Sequence, residues 1–344
     1  MSHHFAASEC DAPPDGSVTR PPSAVWMVWR VHRFALLAVA GTVLLLTAGL
    51  LAFRSAVGDV ADGRWCSDVS GCAGLIVAGL RIGDLIPMVT LVLLVLPTAT
   101  GALLGALGVA REAERGTLAL ALTQGVTTRR WWLTTLALLA GPLALAWAGV
   151  GLLARWAFEP VQPFLRSAMT TPFFETSGPV LGAFFLLAFV VSAALGAWRR
   201  ATIVALVGSV VGCALLVLVG LASVRSHYAE PTTVVRPLTD IRADGTSPTA
   251  ETNGSAWELD VSYVAPDGRS MDSSAIRCAG DVPEEPFDTF WERCLVSDGY
   301  VDEVTVFHAG GQWLRFQATE GAIVLSLAGV VGWLGFRGLR RRPD

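Results

Sequence analysis

The sequence predicts an all-α polytopic membrane protein with six transmembrane helices and a small β-containing domain between helices five and six. The chain has 344 residues and is 53% hydrophobic but only 16% charged, whereas about 25% of residues are charged in a typical soluble domain. Leu85–Ala110 and Trp131–Ala154 contain no ionisable side chain over 26 and 24 residues. Trp257–Val264, by contrast, alternates apolar and polar residues, which predicts a strand.

Six apolar segments are long enough to cross a bilayer, because about 20 helical residues span a hydrocarbon core of about 30 Å. Residues 178–224 are interrupted only by Arg199 and Arg200. A single helix of that length would extend about 70 Å, so we predict two spans with a tight turn at the arginine pair. Arg337 lies near the end of the last segment, where its guanidinium can reach the headgroups. The predicted spans are Phe34–Phe53, Leu85–Ala110, Trp131–Ala154, Gly178–Trp198, Ala201–Val224 and Gly321–Leu339.

The placement of arginine predicts that the N-terminus and the C-terminus are both cytoplasmic. Twelve arginines lie in the tails and short connections on one side of the predicted spans, and five lie in short loops on the other side. Short cytoplasmic loops carry an excess of basic residues. The sequence contains no lysine and is rich in alanine, glycine, valine and leucine, as is typical of high-GC bacterial genomes. The expected location is therefore a bacterial cell (plasma) membrane, crossed several times.

The spans divide the chain into four parts. Residues 1–23 are polar and proline-containing, and we expect a disordered cytoplasmic tail. Residues 24–224 form the membrane domain with spans one to five, and residues 321–344 form the sixth span and a basic cytoplasmic tail. Residues 225–320 hold 17 acidic residues and seven arginines, and we expect them to form an extracytoplasmic domain. Trp257–Val264 and Tyr300–Phe307 are its predicted strands.

Four cysteines fall in the predicted outer segments, where an oxidising environment permits disulfides. Cys66 and Cys72 lie in the first outer loop, and Cys278 and Cys294 lie in the outer domain. The local pairings Cys66–Cys72 and Cys278–Cys294 are favoured, and cross-pairing between the two loops is the main alternative.

One helical face precedes the predicted sixth span. Trp313, Phe316, Gln317 and Glu320 are spaced by three and four residues, so they share one side of a helix. We expect this face to pack the outer domain onto the bundle, with substrate gating as the alternative. The two outer histidines, His227 and His308, are predicted to be surface residues.

The sequence contains none of the patterns that would indicate an enzyme. A phosphate-binding loop of the Gly-x-x-x-x-Gly-Lys type cannot exist without lysine. No histidine pair has the spacing of a metal site, and no predicted span has an ionisable group near its centre, which argues against an ion-coupled carrier. We therefore expect no catalytic, cofactor-binding or metal-binding residues in this chain, and no nucleic-acid partner. Two glycine patterns, Gly101–Gly105 and Gly208–Gly212, fit close contacts between helices.

A dense charge block, Arg111–Thr117, separates the second and third spans. On a helix, Glu112 and Glu114 point to different sides, so they do not form a catalytic pair. Gly116 permits a bend, and Thr117 can cap the next turn. The block, the apolar run Leu118–Thr123 and the return at Arg129 and Arg130 predict a compact hairpin. A solvated turn that obeys the positive-inside rule is the alternative, but such a turn needs neither the glutamates nor the apolar run.

Three stretches resemble the permease subunit of ATP-binding cassette exporters of the type 2 family, in its actinobacterial branch. The most specific is Ala110–Thr117 together with Leu122–Trp131, and it is joined by Trp29–Arg33 and by Gly311–Glu320. The last stretch resembles the family's aromatic-Gln-Glu run. His308-Ala309-Gly310 departs from the His-Pro element that relatives tend to carry there, so a shared role of that spot does not follow from the resemblance.

The resemblance implies a permease that is driven by a separate ATP-hydrolysing subunit, with ATP bound to that partner. It also implies an interfacial connecting helix around Val25–Trp29, for which a simple extension of the first span is the alternative. A second permease subunit is expected, as a homodimer or a heterodimer, and the substrate is not indicated. A membrane sensor, whose acidic outer domain binds a ligand, is the alternative function. The residues implied to contact the ATPase are Glu112, Glu114, Arg115, Gly116, Thr117, Arg129 and Arg130.

Overall fold

The computed structural model describes residues 24–61, 69–114, 127–160, 167–238, 256–275 and 293–340. Six helical spans in it are long and apolar enough to cross a membrane, as the sequence predicts. Each includes one of the six predicted segments or nearly all of it. The spans are numbered here in chain order: Trp29–Val57, Ile86–Glu114, Thr128–Phe158, Val180–Arg199, Thr202–His227 and Gly310–Arg340.

The spans are built from α-helices joined by short π-helical segments. The α-helices are α1 Ala24–Ala61, α2 Val69–Gly105, α3 Arg111–Glu114, α4 Thr128–Thr135, α5 Gly141–Phe158, α6 Phe173–Thr176, α7 Val180–Arg199, α8 Thr202–Leu215, α9 Ala222–Val224 and α10 Trp313–Arg340. The π segments are Ala106–Ala110, Leu136–Ala140 and Leu216–Leu221, and 3-10 turns cover Arg225–His227, Ser273–Ala275 and Gly310–Gln312. Residues 25–29 belong to the same continuous helix as the first span, because α1 begins at Ala24.

Span 4 is the centre of the bundle. Of its 18 most apolar consecutive residues, 83% are buried. The span packs against spans 2, 3, 5 and 6. Its sequence is hydrophobic on every side, as expected for a helix enclosed by other helices. The turn predicted between spans 4 and 5 is present, because Arg200 adopts a left-handed conformation that ends α7. Span 1 lies at the periphery and packs mainly on span 3.

Glycines on span 2 let its backbone approach span 4. A Cβ added to Gly101 would lie 2.3 Å from the carbonyl oxygen of Phe185, and one added to Gly105 would lie 2.3 Å from that of Phe189. The predicted contact role of Gly101–Gly105 is therefore confirmed. The Gly208–Gly212 pattern is different, since a Cβ on Gly212 would meet nothing within 4 Å.

A small antiparallel sheet follows span 5. Its strands are β1 Thr232–Pro237, β2 Trp257–Val264, β3 Ser270–Asp272 and β4 Asp302–His308, in the spatial order β1-β4-β2-β3. Both predicted strands are confirmed as β2 and β4, whereas β1 and β3 were not predicted. Thr232 pairs with Phe307 at the end of the sheet nearest the bundle. We call this end of the bundle the sheet end, and the opposite end, which carries Arg129, Arg130, Arg199 and Arg340, the basic end.

The fold predicts that one methyl group at Gly105 destabilises the chain. Gly105→Ala forces span 2 away from span 4, and overpacking of this kind costs about 1–3 kcal/mol. Gly41→Ala on span 1 is the matched control, because a Cβ there meets nothing within 4 Å. Thermal unfolding in detergent should show a lower midpoint for Gly105→Ala alone, and equal midpoints would contradict the close contact.

Candidate functional sites at the two ends of the bundle

At the basic end, the two glutamates of the charge block contact two different spans. The Glu112 carboxylate lies 3.9 Å from Nε2 of His32 on span 1. On the other side of the helix, the Glu114 carboxylate accepts hydrogen bonds from the backbone N–H of Thr202, at 3.1 Å, and from its hydroxyl. The opposite directions of these side chains agree with the sequence prediction. The end of span 2 is therefore connected to the beginnings of spans 1 and 5.

The return of the chain into span 3 leaves two arginines exposed. Thr127 caps α4 by accepting a hydrogen bond from the backbone N–H of Arg130 at 3.3 Å, and the side chains of Arg129 and Arg130 are exposed. A cleft of about 530 Å³ lies beside the His32–Glu112 contact and is lined by residues of spans 1 and 2. Arg115, Gly116 and Thr117 lie outside the described residues, so the structure leaves their predicted contact with a partner untested.

At the sheet end, Arg225 is completely buried among polar groups from three segments. Its Nε and Nη2 donate to the two oxygens of Glu320 at 3.0 and 3.1 Å, which is a bidentate ion pair. Nη2 also donates to Glu175 at 2.5 Å. Nη1 donates to the Thr171 hydroxyl at 3.1 Å and to the Met169 carbonyl at 3.3 Å. One guanidinium thus connects the end of span 5, the beginning of span 6 and the segment before span 4.

Two carboxylates face this single guanidinium. Glu175 and Glu320 are both 0% exposed, and the Glu175 oxygen that does not contact Arg225, Oε2, has no hydrogen-bond partner among the described residues. The ring of Phe174 covers the guanidinium, with its centroid 4.1 Å from Cζ. Removing the arginine leaves two buried carboxylates without a counterion, which is costly. We call Arg225, Glu175, Glu320 and Thr171 the Arg225 cluster.

The predicted pre-helix face lies beside this cluster. The side chains of Trp313, Phe316, Gln317 and Glu320 are all buried. Gln317 accepts from the backbone N–H of Val180 at 3.3 Å and donates to the Phe174 carbonyl at 2.8 Å. The described α10 begins at Trp313, so Glu320 lies inside the helix rather than before a span that starts at Gly321.

The aromatic members of this face contact the sheet. The ring centroid of Phe316 lies 6.4 Å from that of Trp257 on β2 and 5.0 Å from that of His308 on β4. The predicted surface position of His308 is wrong: it is 0% exposed, and its Nε2 lies 2.9 Å from the carbonyl oxygen of Ser226. Its burial results from packing between the sheet and span 6. His227 is exposed, as predicted.

Sequence reasoning missed Arg225 and Glu175. Arg225 lies 95 residues from Glu320 and 50 residues from Glu175, so no local spacing joins them. The available signal was an arginine directly after the predicted fifth span, on the side whose short loops contain few arginines.

The disulfide predictions remain predictions: Cys294 is disulfide-bonded, but Cys66 and Cys278, and the side chain of Cys72, lie outside the described part of the chain.

The Arg225 cluster predicts a large loss of stability when its cation alone is removed. Arg225→Met leaves two buried carboxylates without a counterion, which should lower the free energy of unfolding by about 3–5 kcal/mol. Arg225→Met combined with Glu175→Gln and Glu320→Gln should recover part of that loss. Arg315→Met is the control, because Arg315 is exposed on α10, the helix that carries Glu320. Unfolding by denaturing detergent measures the change, and an equal effect of the two single variants would contradict the prediction.

Tyr228, next to the cluster, predicts a pH dependence. Burial, together with the Glu320 carboxylate, raises the pKa of the Tyr228 phenol to about 12, from about 10 in an unfolded chain. The folded chain then holds a proton that the unfolded chain loses. The stability that the neutral Tyr228 phenol contributes is therefore complete below about pH 10 and declines as the pH rises towards about 12. Tyr228→Phe should reduce this decline in unfolding experiments between pH 9 and 12, and an unchanged decline would contradict the assignment.

One comparison with known proteins matches most of the membrane-spanning part. The family described as ABC-2 membrane transporter related matches residues 26–225, which include spans 1 to 4 and span 5 up to Arg225. Neither the comparison with curated proteins nor that with solved structures gave a match. The matched region covers more than half of the 344 residues. Members of this family are membrane permease components of ATP-binding cassette transporters, which normally work with an ATPase partner. This multi-pass membrane protein belongs to the ABC-2 membrane transporter related family.

Proposed function

We propose that the chain is the permease subunit of an ATP-binding cassette exporter, and that its ATPase subunit docks on the hairpin formed by residues 111–131. In this proposal the basic end, with both termini, faces the cytoplasm of a bacterial cell, and the sheet lies outside it. ATP is bound and hydrolysed by the partner. A second permease subunit, identical or different, completes the transporter. Disulfides at the predicted pairs of outer cysteines would fit this orientation.

The observation that supports this proposal is the connection of α3 to two other spans. Glu112 approaches His32 on span 1, and Glu114 is hydrogen-bonded to Thr202 on span 5. A displacement of α3 by a partner therefore acts on spans 1, 2 and 5 together. Coupling also requires that the hairpin binds the ATPase differently in its two nucleotide states. The exposed Arg129 and Arg130, on the returning chain, supply positive charge for that contact.

The internal contacts of the two glutamates determine which substitutions test the docking site. Replacing Glu114 disrupts a hydrogen bond to span 5 as well as any contact with a partner. Arg130 is the cleaner position, because its side chain is exposed and only its backbone N–H takes part in the cap of α4. Arg199 is a matched control: it is also exposed at the basic end, but it is the last residue of span 4.

We expect Arg130→Glu to weaken co-purification of the chain with its ATP-binding cassette ATPase subunit from the native host. Reversal of a charge at an interface places like charges together, so binding should weaken by about tenfold or more. The measurements are the amount of co-purified ATPase and its hydrolysis rate in the reconstituted complex. Arg199→Glu should leave both unchanged.

Two outcomes separate the parts of this proposal. If Arg130→Glu and Arg199→Glu weaken binding equally, the assignment of the hairpin as the docking site is wrong. If the unmodified chain recovers no ATPase, the permease proposal itself fails. The alternative of a membrane sensor, which binds a ligand through its acidic outer domain, would then be favoured.

A further inference from the structure

A groove of about 1470 Å³ runs along spans 3, 4 and 6, separate from the Arg225 cluster and from the cleft at His32, and it meets the docking hairpin at Arg129. Its walls are aliphatic and aromatic over most of their length. Leu133, Leu136 and Ala137 of span 3 form one wall, and Leu186 and Val190 of span 4 form the floor. The opposite wall belongs to span 6 and includes Leu325, Ala328, Gly329, Gly332, Trp333 and Phe336.

The polar residues of the groove are concentrated at the basic end. They are Thr127, Thr128 and Arg129 at the beginning of span 3, and Arg340 at the end of span 6. None of the described lining residues is acidic. Both arginine side chains are exposed, and the ion pairs found among the described residues include neither of them. The guanidinium of Arg340 lies over the ring of Phe336, 5.6 Å from its centroid.

The groove is long enough to hold the acyl chains of a lipid from one leaflet. Leu325 and Arg340 both line it and lie on one helix, so the groove extends about 22 Å along the helix axis at 1.5 Å per residue. One leaflet contributes about half of a hydrocarbon core that is about 30 Å thick. An apolar channel that reaches through the depth of a leaflet, with cations at headgroup level, matches a molecule with a negative head and long apolar chains.

We propose that this groove binds one anionic phospholipid from the leaflet at the basic end. The phosphate lies at the end formed by Arg129 and Arg340, and an acyl chain lies against Gly329 and Gly332, where missing side chains leave room. A Cβ added to Gly329 would meet nothing within 4 Å, and one added to Gly332 would lie 3.4 Å from Val190. The lipid supplies the negative charge that the described lining lacks.

A second copy of the chain is a poorer occupant of this groove. In a two-fold dimer with its axis along the membrane normal, equivalent ends lie at the same depth. Arg129 and Arg340 would then face another basic end. The carboxylates at that end, among the described residues, are Glu112 and Glu114, which already contact His32 and Thr202. Charge complementarity therefore favours the phospholipid.

Native mass spectrometry of the purified chain, without any ATPase, tests the proposal. The delipidated protein is titrated with phosphatidylglycerol or with phosphatidylcholine of the same acyl chains. We expect one phosphatidylglycerol to be retained per chain in clear preference to phosphatidylcholine. Arg129→Gln and Arg340→Gln should each weaken phosphatidylglycerol binding by about fivefold. Arg199→Gln, at the same end but outside the groove, should leave it unchanged.

A steric pair of variants tests the position of the acyl chain. Gly329→Leu fills the groove and should abolish retention of the bound lipid. Gly321→Leu is the control, because a Cβ there also meets nothing within 4 Å but Gly321 does not line the groove. Equal retention of both lipids, unchanged binding in Gly329→Leu, or equal effects of the groove and control arginines would each overturn the proposal. A Gly329→Leu variant that changes the oligomeric mass, and not the lipid adduct, would assign the groove to a second copy. None of these results depends on whether an ATPase is recovered.

Discussion

The ion pair between Arg225 and Glu320 determines how the sheet end of the bundle is assembled. A guanidinium can be buried only where carboxylates and carbonyls replace its hydration, and here those groups come from three separate segments. The ends of spans 5 and 6 and the chain before span 4 therefore have to meet at one point. Phe174 and Tyr228 exclude water around that point. The pre-helix face packs against the same segment through Gln317, so the sheet and the bundle share one buried junction.

The basic end is organised differently. Its charges lie nearer the surface, where Glu112 approaches His32 and Glu114 is hydrogen-bonded to Thr202. Partly exposed polar contacts of this kind contribute little stability, and they can be exchanged at low energetic cost. A buried cluster at one end and replaceable contacts at the other are compatible with movement that is concentrated at the basic end. The central span 4, which packs against four other spans, passes from one end to the other.

The sequence predicts the spans well because charge depletion over about 20 residues has one dominant physical cause, the hydrocarbon core. The alternation in Trp257–Val264 likewise predicts β2. The same pattern does not predict β3, which has only three residues, or β1, which includes Arg236 and Pro237 and pairs with β4.

The Arg225 cluster could not be predicted, because its members are distant in the chain and Glu175 lies in a connection without periodicity. The helical spacing before the predicted sixth span did identify one member of the cluster, Glu320. The burial of His308 depends on the position of the sheet against span 6, which no local pattern contains.

The pairing of β1 with β4 has a mechanical consequence. β1 follows span 5 after four residues, and β4 is joined to span 6 by a single residue, Ala309. Backbone hydrogen bonds between these strands, with Thr232 opposite Phe307, fix the separation of the two helices where they leave the bundle. A change in the separation of spans 5 and 6 would therefore be largest at the basic end, near Thr202 and Arg340. The sheet would act as the hinge of that movement.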